Sequence, residues 1–237
     1  MRARTLFGLL IPLASAALFV RLGLWQISRH EERVAVLRTL EARLQAEPVE
    51  FSTIVAHAAD PTWTLVRVEG RFRYDLEQVQ AARTNAGSPG VHLITPLELP
   101  GSDTLVIVTR GWVYSPDAAS AELPRWREDE AITLTGYLLP LPAEGLPAPT
   151  NPGLPLRSLN RAALAARVGY PVAPVQIVMT SDSTARIDSV PRRLPPPVPD
   201  AGPHRSYALQ WFSFALIALI GGGILFRRGI VADRASR

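Results

Sequence analysis

Two long apolar runs at opposite ends of the chain restrict it most. Residues 206–226 read SYALQWFSFALIALIGGGILF without a single charge, and Arg227 and Arg228 follow. Residues 5–20 read TLFGLLIPLASAALFV, and the apolar pattern continues to Leu24 apart from Arg21. A helix of about 20 mostly apolar residues crosses a hydrocarbon core of ~30 Å, so each run is long enough to span one. The expected fold class is an α+β membrane protein: two transmembrane helices, 5–26 and 204–226, flank one antiparallel β-rich extracytoplasmic domain, 27–190. A proline-rich linker, 191–203, joins the domain to the second span, and 227–237 form a tail.

Arg2 and Arg4 precede the first span, and Arg227, Arg228, Arg234 and Arg237 follow the second. Short basic flanks stay cytoplasmic, so both termini are expected inside a cell inner (plasma) membrane with the middle domain outside. A cleaved signal peptide ending near Ala14-Ser15-Ala16 is the alternative for the first run. Residues 26–205 carry 18 arginines against 20 acidic residues, so the excess positive charge lies outside the domain and no basic face suggests nucleic acid. The chain has no cysteine, which excludes disulfides, thiolate metal sites and thioether haem attachment.

Between the spans, Val34, Leu37, Leu40 and Leu44 recur at helical spacing, so 27–46 should continue the first helix until Pro48 stops it. A short helix is expected over 51–59. Alternation over 64–74 predicts a strand with a bulge at Gly70, and 78–83 should pair back as a hairpin. Strands follow at 91–99 and 104–114, the latter central because Leu105–Val108 is apolar throughout. Another is expected at 132–139, a helix at 159–168 ended by Gly169, and strands at 175–179 and 185–190. Residues 140–155 hold six prolines and form an irregular loop. Residues 191–203 should act as a semi-rigid spacer of up to ~40 Å.

The residues with most chemical content lie at the outer ends of the spans. Arg21, Trp25 and Arg29 are spaced at four on the first helix, and His204, Tyr207 and Trp211 share a face of the second. If the helices pack, one imidazole, aromatic rings and two guanidiniums meet at one level. That set suits a planar ligand with an iron centre and carboxylates, such as haem. It equally suits an aromatic belt, a snorkelling arginine and a surface histidine. Ala208, Ala215 and Gly222 continue the second helix with small residues, which permits close packing or leaves a groove. Catalytic patterns are missing: there is no H-E-x-x-H, no G-x-S-x-G and no phosphate loop. Glu128-Asp129-Glu130 reads as a solvated turn, and Asp182 and Asp188 suggest no metal site.

Five segments in order resemble the Surfeit-locus family of cytochrome oxidase assembly factors. They are Leu22-Gly23-Leu24-Trp25-Gln26 with Arg29, Val68-Glu69-Gly70-Arg71-Phe72, Gly90 to Leu97, Thr109-Arg110-Gly111-Trp112-Val113, and His204 to Phe212. The chain departs from the family pattern at Pro203, where asparagine is usual, and at Arg205. The resemblance implies a non-enzymatic factor in biogenesis of haem-copper oxidases that delivers haem a to the catalytic subunit, with His204 as iron ligand. Partners implied are that subunit and haem-synthesis or other assembly proteins. A haem-free scaffold is the second expectation, with Arg110 to Val113 either a recognition loop or a structural pair closing the domain. An anchored hydrolase would need a nucleophile and base that the sequence does not display.

Overall fold

The computed structural model describes residues 3–57, 59–151, 153–180, 190–196 and 202–235. The chain divides into two units: the terminal segments 1–41 and 199–237, and the residues between them, 42–198.

In the first unit, α1 (Ala3–Gln45) begins the chain and α4 (His204–Ala235) ends it. Both helices are long and apolar enough to cross a membrane. As expected, α1 runs without a break from the apolar run into the charged segment, a length of 43 residues that ends just before Pro48. Val34, Leu37, Leu40 and Leu44 are its more covered positions there, between exposed charges.

The second unit is a β domain. It comprises β1 (Val49–Glu50), α2 (Phe51–His57), β2 (Leu65–Phe72), β3 (Gln78–Asn85) and β4 (Ser88–Glu98). It continues through β5 (Leu105–Tyr114), β6 (Ala131–Pro140), α3 (Arg161–Val168) and β7 (Val172–Met179). The strand order is β1-β2-β6-β7-β5-β4-β3, and β2 also pairs with β4, so β2, β6, β7, β5 and β4 close into a barrel. The pairs are antiparallel except β1–β2 and β5–β7, which are parallel. The sheet is mainly antiparallel, as expected, and β7 has a parallel neighbour because the chain leaves β6, crosses through α3 and re-enters between β6 and β5. A crossover of that length allows a parallel neighbour where a hairpin would not.

Period-two alternation divides the core. Val106 and Val108 of β5 pack inside with Val66, Val68, Phe72, Leu134, Leu138, Ile177 and Phe51. Leu105 and Ile107 point the other way, against Leu164 and Val168 of α3. Burial on both faces explains why this strand reads as a continuous apolar run. The helix that covers it is fixed at both ends. The Asn160 side chain accepts from the Ala163 amide, and Gly169 takes the left-handed conformation (φ 75°) in which its N–H meets the Ala165 carbonyl.

Gly70 carries no bulge: the β2–β6 register runs through it unshifted. Its role is barrel closure. At Arg71 the strand starts to pair with Glu98 of β4, and a Cβ on Gly70 would lie 2.7 Å from the Glu98 carbonyl oxygen. The proline-rich stretch also differs from a free spacer at its start. Arg192 forms a bridge with Trp112, exchanging both backbone hydrogen bonds, and a Cβ on Gly111 (φ 152°) would collide with the Arg192 carbonyl. The strand expected at 185–190 lies outside the described residues apart from Val190, as do Asp182, Asp188 and linker residues 197–201.

Candidate functional site

The terminal helices meet along one seam. The covered positions include Pro12, Ala16, Phe19, Gly23, Gln26 and His30 on α1, with Ser15 and Leu22 beside them, and His204, Ala208, Trp211, Ala215, Ala218 and Gly222 on α4, with Phe212, Gly221 and Phe226 beside them. The first six named on each helix alternate steps of four and three, a 3.5-residue repeat that keeps one stripe facing a partner helix. Small residues let the backbones approach. A Cβ on Gly222 would lie 2.5 Å from Pro12, and one on Gly23 would lie 2.6 Å from the Phe212 ring. Phe19 stacks on Trp211 with centroids 5.8 Å apart, and Phe214 closes against both rings. The helices are therefore antiparallel, with residue 12 beside 222, 19 beside 211 and 26 beside 204.

At the upper end of this seam, His204 Nδ1 lies 2.9 Å from Gln26 Oε1. Its position follows from the local sequence. Pro203 precedes it without an amide hydrogen, and the Pro203 carbonyl accepts from both the Tyr207 amide and the Ser206 hydroxyl, which starts α4 at His204. One turn further along α1, His30 Nδ1 is enclosed with no hydrogen-bond partner among the described residues.

The six residues singled out from sequence do not share a face. His204 and Trp211 turn into the seam. Trp25 is 51% exposed, Tyr207 is 48% exposed, and Arg21 and Arg29 are exposed. Arg29 sits 5.8 Å over the Trp25 ring and hydrogen-bonds Glu32 at 2.9 Å. A spacing of four drifts about 40° per step around an α-helix, so the Arg21–Trp25–Arg29 stack cannot stay on the seam. Gln26, Phe19 and Gly23, which do lie there, were not singled out as site residues. The signal that would have found them is the seven-residue recurrence of small residues, Ala16 and Gly23 on one helix and Ala208, Ala215 and Gly222 on the other.

The β domain holds a second concentration of charge. The Arg110 side chain is fully buried, with Nη1 2.7 Å from Glu77 and Nη2 2.9 Å from Glu128. It also donates to the Trp126 carbonyl and lies over the rings of Phe72 and Tyr74 at 5.5 and 5.1 Å. Arg193 binds Glu128 and donates to the Arg110 carbonyl. Glu128 is thus no solvated turn residue. Arg110 and Trp112 form no exposed recognition loop either: Trp112 lies across Gly90 and donates from Nε1 to the Arg83 carbonyl. On β4, His92 sits between Gln80 and Trp112, and burial, reinforced by the Arg83 charge, lowers its pKa to about 4.

Among the described residues, no group of three or more histidines and carboxylates could hold a metal ion. The helix pair and the closed barrel define a membrane-anchored β-barrel protein. The model of the SURF1 family matches residues 13–216, and the chain belongs to that family. A SURF1-like protein of Monosiga brevicollis is 26% identical, with 88% of this chain and 83% of the relative covered. A SURF1-like protein of Mycobacterium tuberculosis (strain ATCC 25618 / H37Rv) is 26% identical over 92% of this chain and 82% of its own. Surfeit locus protein 1 of Mus musculus is 26% identical over 45% of this chain and 38% of its own.

Proposed function

We propose that this protein is an assembly factor for a haem-copper oxidase, binding haem a at the membrane and aiding its insertion into the catalytic subunit. The SURF1 family is known as a family of oxidase assembly factors, which supports the coarser half of this reading. The observation that carries the finer half is His204. It is the imidazole at the first residue of an apolar helix, held through Nδ1 by Gln26, which leaves Nε2 on the other edge of the ring. A single imidazole suits a metal that brings its own equatorial ligands, as iron in a macrocycle does.

When bound, haem would supply the iron and its ring nitrogens, and His204 is the residue that would ligate the iron. Trp25 and Tyr207 offer exposed rings at the same level for the macrocycle, and Trp211 braces the helix on which His204 sits. Arg21 and Arg29 lie one turn to either side of Trp25 and would meet propionates, Arg29 by exchanging Glu32 for the ligand. The basic tails support an orientation with both termini cytoplasmic and the barrel outside. The role is binding and transfer, with no turnover.

The test is an absorption spectrum of full-length, detergent-solubilised protein from cells making haem a, wild type beside His204→Ala. A Soret band and a red-shifted α band in the wild type, lost in a folded variant, are expected. Equal haem in both proteins rejects the ligand role. No haem in either favours a haem-free scaffold that binds an oxidase subunit or another assembly protein.

A further inference from the structure

We infer that Gln26 is a positioning residue for His204, selecting the imidazole tautomer that leaves the Nε2 lone pair free to bind a metal. The inference rests on the haem reading only for its purpose; the tautomer itself is a property of the chain alone.

The argument starts from donors and acceptors. A neutral imidazole carries one N–H and one lone pair, and the partner of one nitrogen decides which is which. Gln26 presents Oε1, an acceptor, to Nδ1 at 2.9 Å. An acceptor in that position is matched by the Nδ1–H tautomer, which leaves Nε2 as the basic nitrogen of the neutral ring. Metal-binding histidines are oriented in this way by an acceptor on the nitrogen that does not ligate.

The contact is also held in place. Gln26 and His204 are 178 residues apart in sequence and meet only because the seam fixes the register of the two helices. Gly23, one turn below Gln26, is filled by Phe212, and Phe19 is stacked on Trp211. Neither helix can slide a turn without losing these contacts. Gln26 is thus a polar residue in a stripe otherwise made, on the membrane side, of small and aromatic ones. An uncharged amide is well suited there. It accepts a hydrogen bond without carrying a charge into the apolar layer.

A role confined to helix register would need the pair but not the tautomer, so the deciding measurement is nitrogen NMR. Histidine-labelled full-length protein in detergent, above the pH at which imidazole protonates, gives the His204 pair of resonances by difference from His204→Ala. The wild type should show a protonated Nδ1 and an unprotonated Nε2. Gln26→Leu should shift His204 toward the Nε2–H form that free histidine prefers, and Gln26→Glu should keep Nδ1–H. A wild type with Nε2–H, or a tautomer unchanged in folded Gln26→Leu, overturns the inference. Titration with ferric protoporphyrin gives the second readout: affinity should fall about 10- to 100-fold in Gln26→Leu and hold in Gln26→Glu. Wild type that takes up no porphyrin defeats the haem reading and leaves the tautomer result intact. Porphyrin bound through His204 with equal affinity in wild type and Gln26→Leu defeats the role of Gln26 alone.

Discussion

Arg110 shows how one side chain holds together parts of the chain that are far apart. It lies on β5, yet its partners come from the turn before β3 (Glu77), the approach to β6 (Trp126 and Glu128) and, through Glu128, the segment after β7 (Arg193). Thr95 adds a hydrogen bond to Glu77 at 2.9 Å. The planar guanidinium reaches these acceptors in several directions at once, which an ammonium does not. Removing it leaves Glu77 buried without its counter-charge. Arg110→Met is expected to cost about 3–5 kcal/mol, and Arg110→Lys to recover only part of it. The exposed Arg71–Glu130 pair, with side chains 68% and 55% accessible, gives the contrast: Glu130→Gln should cost under about 1 kcal/mol. Tryptophan-fluorescence unfolding of the detergent-solubilised chain measures both, and an Arg110→Met loss as small as that of Glu130→Gln would sink the argument. The sequence displayed Arg110 within a recognisable motif. It could not display the partners, which lie 33, 18 and 83 residues away and meet it only after the barrel closes. For that reason Glu128 read as a solvated turn residue.

Among the elements, the helix pair was legible in existence because an uninterrupted apolar run leaves little choice of structure, although α4 runs on to Ala235 through the stretch read as a tail. Its facing surface was less so. Rings and arginines at a spacing of four attract attention, but they lie on the outward side, while the seam is set by residues chosen for smallness. The three glycines 221–223 separate the two ideas. Only Gly222 meets α1, at Pro12; neither Gly221 nor Gly223 has any atom within 4 Å of an added Cβ. Gly222→Leu forces the helices apart and is expected to cost about 1–3 kcal/mol, whereas Gly223→Leu places an apolar side chain on an open face at little cost. Thermal unfolding of the two variants in detergent checks this, and equal losses would mean that the seam does not run through Gly222. The same reasoning explains why Gln26 escaped notice. It sits beside Trp25 in the motif and differs from it in direction by about 100° around the helix.

At the scale of the whole molecule, the strands of the barrel were readable one by one from alternation, but its closure was not. That closure depends on β7 inserting between β5 and β6 and on β2 gaining β4 as a further partner from Arg71, both non-local events with no periodic trace. One consequence of the closed sheet can be measured in solution. His92 lies between β3 and β5, and burial followed by the nearby Arg83 charge holds its pKa at about 4, against 6.5 for the unperturbed group. Between these values the unfolded chain binds a proton that the folded one refuses. The stabilisation is therefore complete above pH 6.5 and is lost as the pH falls toward 4. The shift corresponds to about 2–3 kcal/mol once the partial exposure of the ring is allowed for. Asp117, held low by hydrogen bonds from Ser115 and Ser120, loses its contribution only below its ordinary value of 3.8, outside this window. Subtracting the unfolding free energy of His92→Gln from that of the wild type cancels such common terms. The difference should be flat above pH 6.5 and should fall by about 2–3 kcal/mol between pH 6.5 and 4. A difference constant across that range would mean that His92 titrates normally and is open to water, and with it that the β3–β4–β5 face is not closed as described.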